Sequence, residues 1–180
     1  ASQNGSFAQG YQSEAIGSYG SFVQGRFSSA TGRWGSLAQG VNATAYGSVG
    51  SFAQGSKATA RGSFGSFAQG YDAVVPASIG AFAQGFDSTA NGNFGSFCRR
   101  QADPATGTSG SFAQGRDALA TGSHGSFAQG YDATTIGEAG TFSQGYNTTT
   151  VGNLGSFCQG WSVTSKGSRG VFAQGQNATA

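Results

Sequence analysis

Four aspartates fall in two pairs with a 15-residue separation, Asp72 with Asp87 and Asp117 with Asp132. If 15 residues bring the chain back over itself, the carboxylates of a pair stand about 5 Å apart and repel, and a hard cation such as Ca²⁺ between them would relieve that. Two carboxylates are far short of the roughly six to eight oxygens that Ca²⁺ takes. An Asp after a Gly-aromatic pair is also an ordinary turn residue that bonds its own backbone. The run Cys98-Arg99-Arg100-Gln101-Ala102-Asp103-Pro104 is the second place where chemistry could sit. Arg99 there is a candidate anion ligand, built from three copies around a shared axis. The plainer reading pairs Asp103 with Arg99 or Arg100, because an unpaired buried charge is costly.

Other reactive side chains are sparse. The one histidine, His124, has Ser123 and Ser126 nearby, but serine is common throughout this chain. A serine nucleophile needs a base held by an orienting group, and no carboxylate recurs near His124. Gly-x-Gly spacings abound without a following helix, so they are not phosphate loops. The expectation is no enzyme, no cofactor and no firm metal site. Cys98 and Cys158 lie 60 residues apart, which at four 15-residue turns is about 19 Å, too far for a disulfide within one chain. Both replace Ala at a small position, which points to buried free thiols, with interchain bonding open if that position faces a partner.

What must position all of these is a repeat. The stretch Gly125-Ser126-Phe127-Ala128-Gln129-Gly130 returns every 15 residues. Taking its first Gly as position 1, rungs start at Gly5, Gly20, Gly35, Gly50, Gly65, Gly80, Gly95, Gly110, Gly125, Gly140, Gly155 and Gly170. The single array covers 1–180 and reads as part of a longer solenoid. All 33 glycines fall at positions 1, 6 or 13. Position 6 is Gly except at Arg100, and position 13 is Gly except at Ala77. Strictly placed Gly suggests corners that need φ > 0 or close approach, leaving strand segments at positions 2–5 and 8–12. The composition agrees: charged residues are 9% and aromatics 13%, whereas disorder goes with high charge and few aromatics. A net charge of +2 without a basic run gives no track for nucleic acid, and no apolar stretch is long enough to span a membrane.

Period-2 restriction identifies the faces. Position 3 carries Phe7, Phe22, Leu37, Phe52, Phe67, Phe82, Phe97, Phe112, Phe127, Phe142, Phe157 and Phe172, and position 5 is Gln in every rung but that of Arg99. Positions 2, 4, 9 and 11 are small. Two packings fit. In the first, small residues fill the roll and the Phe and Gln columns face out, forming a subunit interface. In the second, Phe lies inside and Gln amides ladder along the axis. A Phe column left bare would exceed the roughly 300–600 Å² apolar patch tolerated on monomers, so the restriction on both faces of this segment calls for a partner surface. Lys57, one rung from Asp72, is a candidate cross-rung ion pair. Aromatics recur at position 7 (Tyr11, Tyr71, Phe86, Tyr131, Tyr146, Trp161) and position 15 (Tyr19, Trp34, Phe64, Phe94), where packing at rung corners is the simpler role than ligand binding. Sequons at Asn4, Asn42, Asn147 and Asn177 matter only in a eukaryotic secretory route.

The run Gly-Ser-Phe-Ala-Gln-Gly-x-x-Ala-Thr-Ala-x-Gly resembles the YadA-like head, or haemagglutinin repeat, of trimeric autotransporter adhesins. That repeat reads Ser-Val-Ala-Ile-Gly, two free positions, then Ser-x-Ala-x-Gly. The run is also similar to the Ser-His-Ala-Glu-Gly version in some phage-type tail proteins. The likeness covers all twelve rungs, with 15 residues per repeat here instead of 14 and Phe/Gln for Val/Ile. It implies a left-handed parallel β-roll, a homotrimer and display outside a cell. The expected fold is therefore all-β, a parallel β-solenoid with two short strands per rung. The expected function is a self-assembling extracellular surface fibre or adhesin head, partnered by itself and by a host surface or matrix. Alternatives are an ice-binding solenoid, for which position 10 offers Thr44, Thr59, Thr89, Thr134, Thr149, Thr164 and Thr179, or a virus or spore coat fibre without a ligand.

Overall fold

The computed structural model describes residues 5–76 and 79–180; Asn4 and Ala77 lie outside the described residues. The chain is an all-β parallel solenoid of about 11 turns, with about 15 residues and two short strands per rung. It divides into two compact units, Ala1–Ala90 and Asn91–Ala180. In the first unit the leading strand of each rung runs from position 3 to position 7, as in Phe7–Tyr11, Phe22–Arg26 and Phe67–Tyr71. Successive strands pair in parallel with a strict 15-residue register, Phe52 on Phe67 and Gln54 on Gln69. The trailing strands here are two residues long, as in Thr44–Ala45 and Thr59–Ala60. In the second unit the same leading strands recur, Phe112–Arg116 on Phe127–Tyr131, but trailing strands lengthen to six residues, as in Leu119–His124 and Thr134–Ala139.

Positions 2, 4, 9 and 11 point inward. Ala38, Ala43, Ala45, Ala113, Ala118 and Ala120 are completely buried, and the largest fully buried side chains are Val23, Val75 and Val163, followed by threonines such as Thr135 and Thr150. The interior is therefore thin and built of methyl groups and hydroxyls. Each such side chain buries little, at about 0.8 kcal/mol per methylene, so the backbone ladder and the columns on the outside contribute a large share of cohesion.

Position 6 is not a corner. Gly10, Gly25 and Gly130 sit within leading strands at φ +128, +143 and +140. A Cβ added at Gly130 would lie 1.9 Å from the carbonyl oxygen of Gly145 in the next rung. The chain turns at the position-1 glycines, at φ 58–73, and at position 8, where every rung holds a non-glycine at φ 50–59. Asn and Asp tolerate this left-handed conformation best, which accounts for Asn42, Asp72, Asp87, Asp117, Asp132 and Asn147 at that column. Position 8 consequently belongs to a turn and not to the start of the second strand.

Candidate functional site

The Phe and Gln columns face outward, the first of the two packings open in the sequence. From Phe22 to Phe157 the position-3 side chains are half-buried, and what covers them is largely one another. In the first unit Phe52, Phe67 and Phe82 stack with centroids 4.6 Å apart and planes within 2° of parallel. Leu37 interrupts the series. In the second unit the stack runs unbroken from Phe97 to Phe172, at 4.6–5.0 Å. The offset between successive strands is fixed by the ladder, so rings one rung apart meet face to face at about the strand spacing.

Beside them the Gln side chains form amide ladders. In the first unit Gln24 Nε2 donates to Gln9 Oε1, and Gln39, Gln54, Gln69 and Gln84 repeat this at 2.7–2.9 Å. In the second, Gln129 Nε2 donates to Gln114 Oε1 at 3.0 Å, with Gln144 and Gln159 following. In each of these bonds the amide donates toward the preceding rung, so each ladder has one direction and one N–H of each donor amide has its partner within the chain. The face left for anything outside is apolar rings flanked by amides already bonded along the ladder. Farther along the same strands stand the position-7 aromatics, of which Tyr71 stacks on Phe86 at 4.9 Å and Tyr131 on Tyr146 at 4.9 Å.

Arg99 replaces Gln in this column and is exposed. Nearby, Arg100, Gln114, Arg116, Gln129 and Tyr131 line a hollow of 380 Å³, in which Arg99 takes no part. Arg116 lies over the Tyr131 ring at 5.2 Å and reaches Asp117 at 3.6 Å. Asp103 is fully buried, and its hydrogen-bond partners are not the arginines: Gly115 N–H donates to it at 2.8 Å and Ala118 N–H at 2.9 Å. Burial nevertheless dominates and raises its pKa from 3.8 to about 6, with the two backbone donors opposing and Arg100 contributing least. The expected Asp103–arginine pair is thus replaced by a backbone clamp from the next rung.

The aspartate pairs stand at the left-handed turns, and among the described residues no three metal-ligating side chains gather. Lys57 does not reach Asp72 but lies over the Tyr71 ring, its Nζ 5.5 Å from the centroid. Cys98 and Cys158 are buried and form no disulfide, so both sulfurs sit inside the roll. Burial pushes the Cys158 thiol up, and its Sγ donates to Val163 O at 3.0 Å. His124 is exposed and Ser126 faces the interior.

One feature of the outer surface had no signal in any single repeat. Position 13 dips inward, leaving a glycine-floored groove between the side chains of positions 12 and 14. In the second unit it is a hollow of 560 Å³ that spans Thr121 to Lys166. In the first it is a hollow of 240 Å³ at Arg33, Tyr46 and Arg61. The groove depends on how far the backbone sinks at position 13, which the glycine pattern alone does not give.

Comparison with protein-family models, curated proteins and solved structures finds no match to this chain.

Proposed function

We propose that this protein is a structural element that assembles with copies of itself through the Phe and Gln columns, serving as a surface fibre or adhesin head. The observation that carries this reading is the outward Phe column, stacked ring on ring. Fully burying a Phe contributes about 1.5–3 kcal/mol. These rings are already half-buried, so each contributes a fraction of that, and it is the sum along the column that offsets the roughly 4–15 kcal/mol cost of association. Trimeric assembly and extracellular display are part of the same proposal and rest on the resemblance to the haemagglutinin repeat. The Thr column of the ice-binding reading has a poor neighbour: beside Thr134, Thr149 and Thr164 run Ile136, Val151 and Lys166, which supply no second hydroxyl row.

Mass in solution tests the proposal. The wild-type chain should sediment as an oligomer, and Phe127→Ser should shift it toward monomer while its far-ultraviolet spectrum stays that of a β-solenoid. A wild-type monomer across the micromolar range would overturn the assignment.

A further inference from the structure

The strongest unassigned feature lies on the outer face of the second sheet, away from the Phe column. In the first unit the glycine-floored groove is flanked by Arg33 and Arg61, with Tyr46 between them along the chain. All three side chains are exposed, Tyr46 at 59%. Thr31, Ser48 and Ser63 add hydroxyls to the same walls, and no carboxylate lines the hollow. Tyr46 and Arg61 also border a second hollow of 310 Å³ on the Thr44 side, so the ring stands as a ridge between two depressions.

We infer that this groove binds an acidic oligosaccharide, a sugar chain carrying carboxylate or sulfate groups. The chemistry divides among the walls. A guanidinium presents paired N–H donors that match the two oxygens of a carboxylate or sulfate, and Arg33 and Arg61 place two of them on one hollow. An exposed Tyr offers a flat apolar face for the C–H side of a pyranose and a hydroxyl at its tip. Short hydroxyl side chains at the walls suit a ligand dense in its own hydroxyls. A nucleic-acid strand would need cations tracking many phosphates, and this unit offers only two on the groove. The second unit is an internal control: its groove is larger but carries Glu138 and Lys166 and has no aromatic. The site therefore belongs to the first unit. It does not use the Phe column, so it stands or falls apart from the assembly proposal.

The test is calorimetric titration of the full chain with a heparin-derived hexasaccharide, beside neutral cellohexaose and inorganic sulfate. The acidic sugar should bind and cellohexaose should not. Arg33→Gln and Arg61→Gln should each weaken binding about tenfold or more, and Tyr46→Ala by several-fold. Arg169→Gln, which removes an exposed arginine from the second unit, should leave it unchanged. Absence of heparin binding would overturn the inference, as would equal loss in Arg169→Gln, which would mean bulk charge alone. No effect of the three groove variants would place the ligand elsewhere. Sulfate competing fully at the same concentration as the sugar would reduce the site to a simple anion site and sink the sugar assignment.

Discussion

Asp103 stands at position 9, where other rungs carry Ser13 and Ser28. Those hydroxyls donate to the carbonyls of Gly25 and Gly40, twelve residues on, at 2.7 and 2.9 Å. Asp103 meets the equivalent Gly115 through its N–H instead, so the same link between rungs is held with donor and acceptor exchanged. A carboxyl whose folded pKa is about 6 against 3.8 keeps its proton to higher pH when folded than when unfolded. Stability is therefore greatest below the unfolded value and is lost as pH rises from about 4 through about 6, by on the order of 3 kcal/mol. In a Phe127→Ser background, chosen to keep the proposed assembly out of the measurement, the urea midpoint should be higher at pH 4 than at pH 7.5. Asp103→Ser should flatten that difference, and an unchanged pH slope would rule the account out. Arg100 gives a second residue-level outcome. It holds φ 110 at a column where every other residue is Gly, a conformation costing about 1–3 kcal/mol for a side-chain-bearing residue. Arg100→Gly should raise the melting temperature by calorimetry; a fall would mean that the contacts of Arg100 outweigh the backbone strain.

At the scale of the rung, position 13 and the next rung's position 2 share one space. A Cβ at Gly107 would lie 2.0 Å from Ser111 Oγ and 2.1 Å from Gly122 O. The hydroxyl of Ser111 is buried with no hydrogen-bond partner, so filling that space is its visible role. In the rungs that start at Gly5 to Gly155, Ala77 is the only non-glycine at position 13, and four residues later Ala81 is the only Ala at position 2; the methyl gained is matched by a hydroxyl lost. Gly107→Ala should cost about 1–3 kcal/mol or more by overpacking, and Ser111→Ala should recover part of that in the double variant, a coupling readable by denaturant titration. Strict additivity of the two changes would contradict the shared space. The rung also shows what sequence could and could not carry. The 15-residue period, the two strands and the small inward columns were legible because each leaves its mark at a fixed column. Gly at position 6 reads as a corner in the sequence, because a glycine needed for close approach between rungs looks the same as one needed for a turn. The actual turn at position 8 was marked by Asn or Asp in seven of twelve rungs, but Phe27, Lys57 and Ala102 at φ 51–58 blurred it. The groove at Arg33 and Arg61 was invisible, since those arginines sit at different columns of different rungs.

For the whole molecule, the two outer faces differ in the physics of what they would bind, and that difference separates the two proposals. Columns 3 and 5 carry one charge, that of Arg99, and their amides are bonded within each unit. The association proposed there would be driven by apolar burial, which is nearly insensitive to ionic strength and weakens on cooling. The Arg33–Arg61 groove would hold its ligand by charge at an exposed surface, where the screening length falls to about 3 Å at 1 M salt. Sedimentation at 1 M sodium chloride should therefore leave the oligomer intact, and sedimentation at 5 °C should show more dissociation than at 25 °C. Under the same high salt, binding of the acidic hexasaccharide should fall by at least tenfold. An oligomer that dissolves with salt and survives cooling would mean that charged residues, not the Phe column, hold the copies together. The seam would then have to be sought among the arginines and aspartates at the turns.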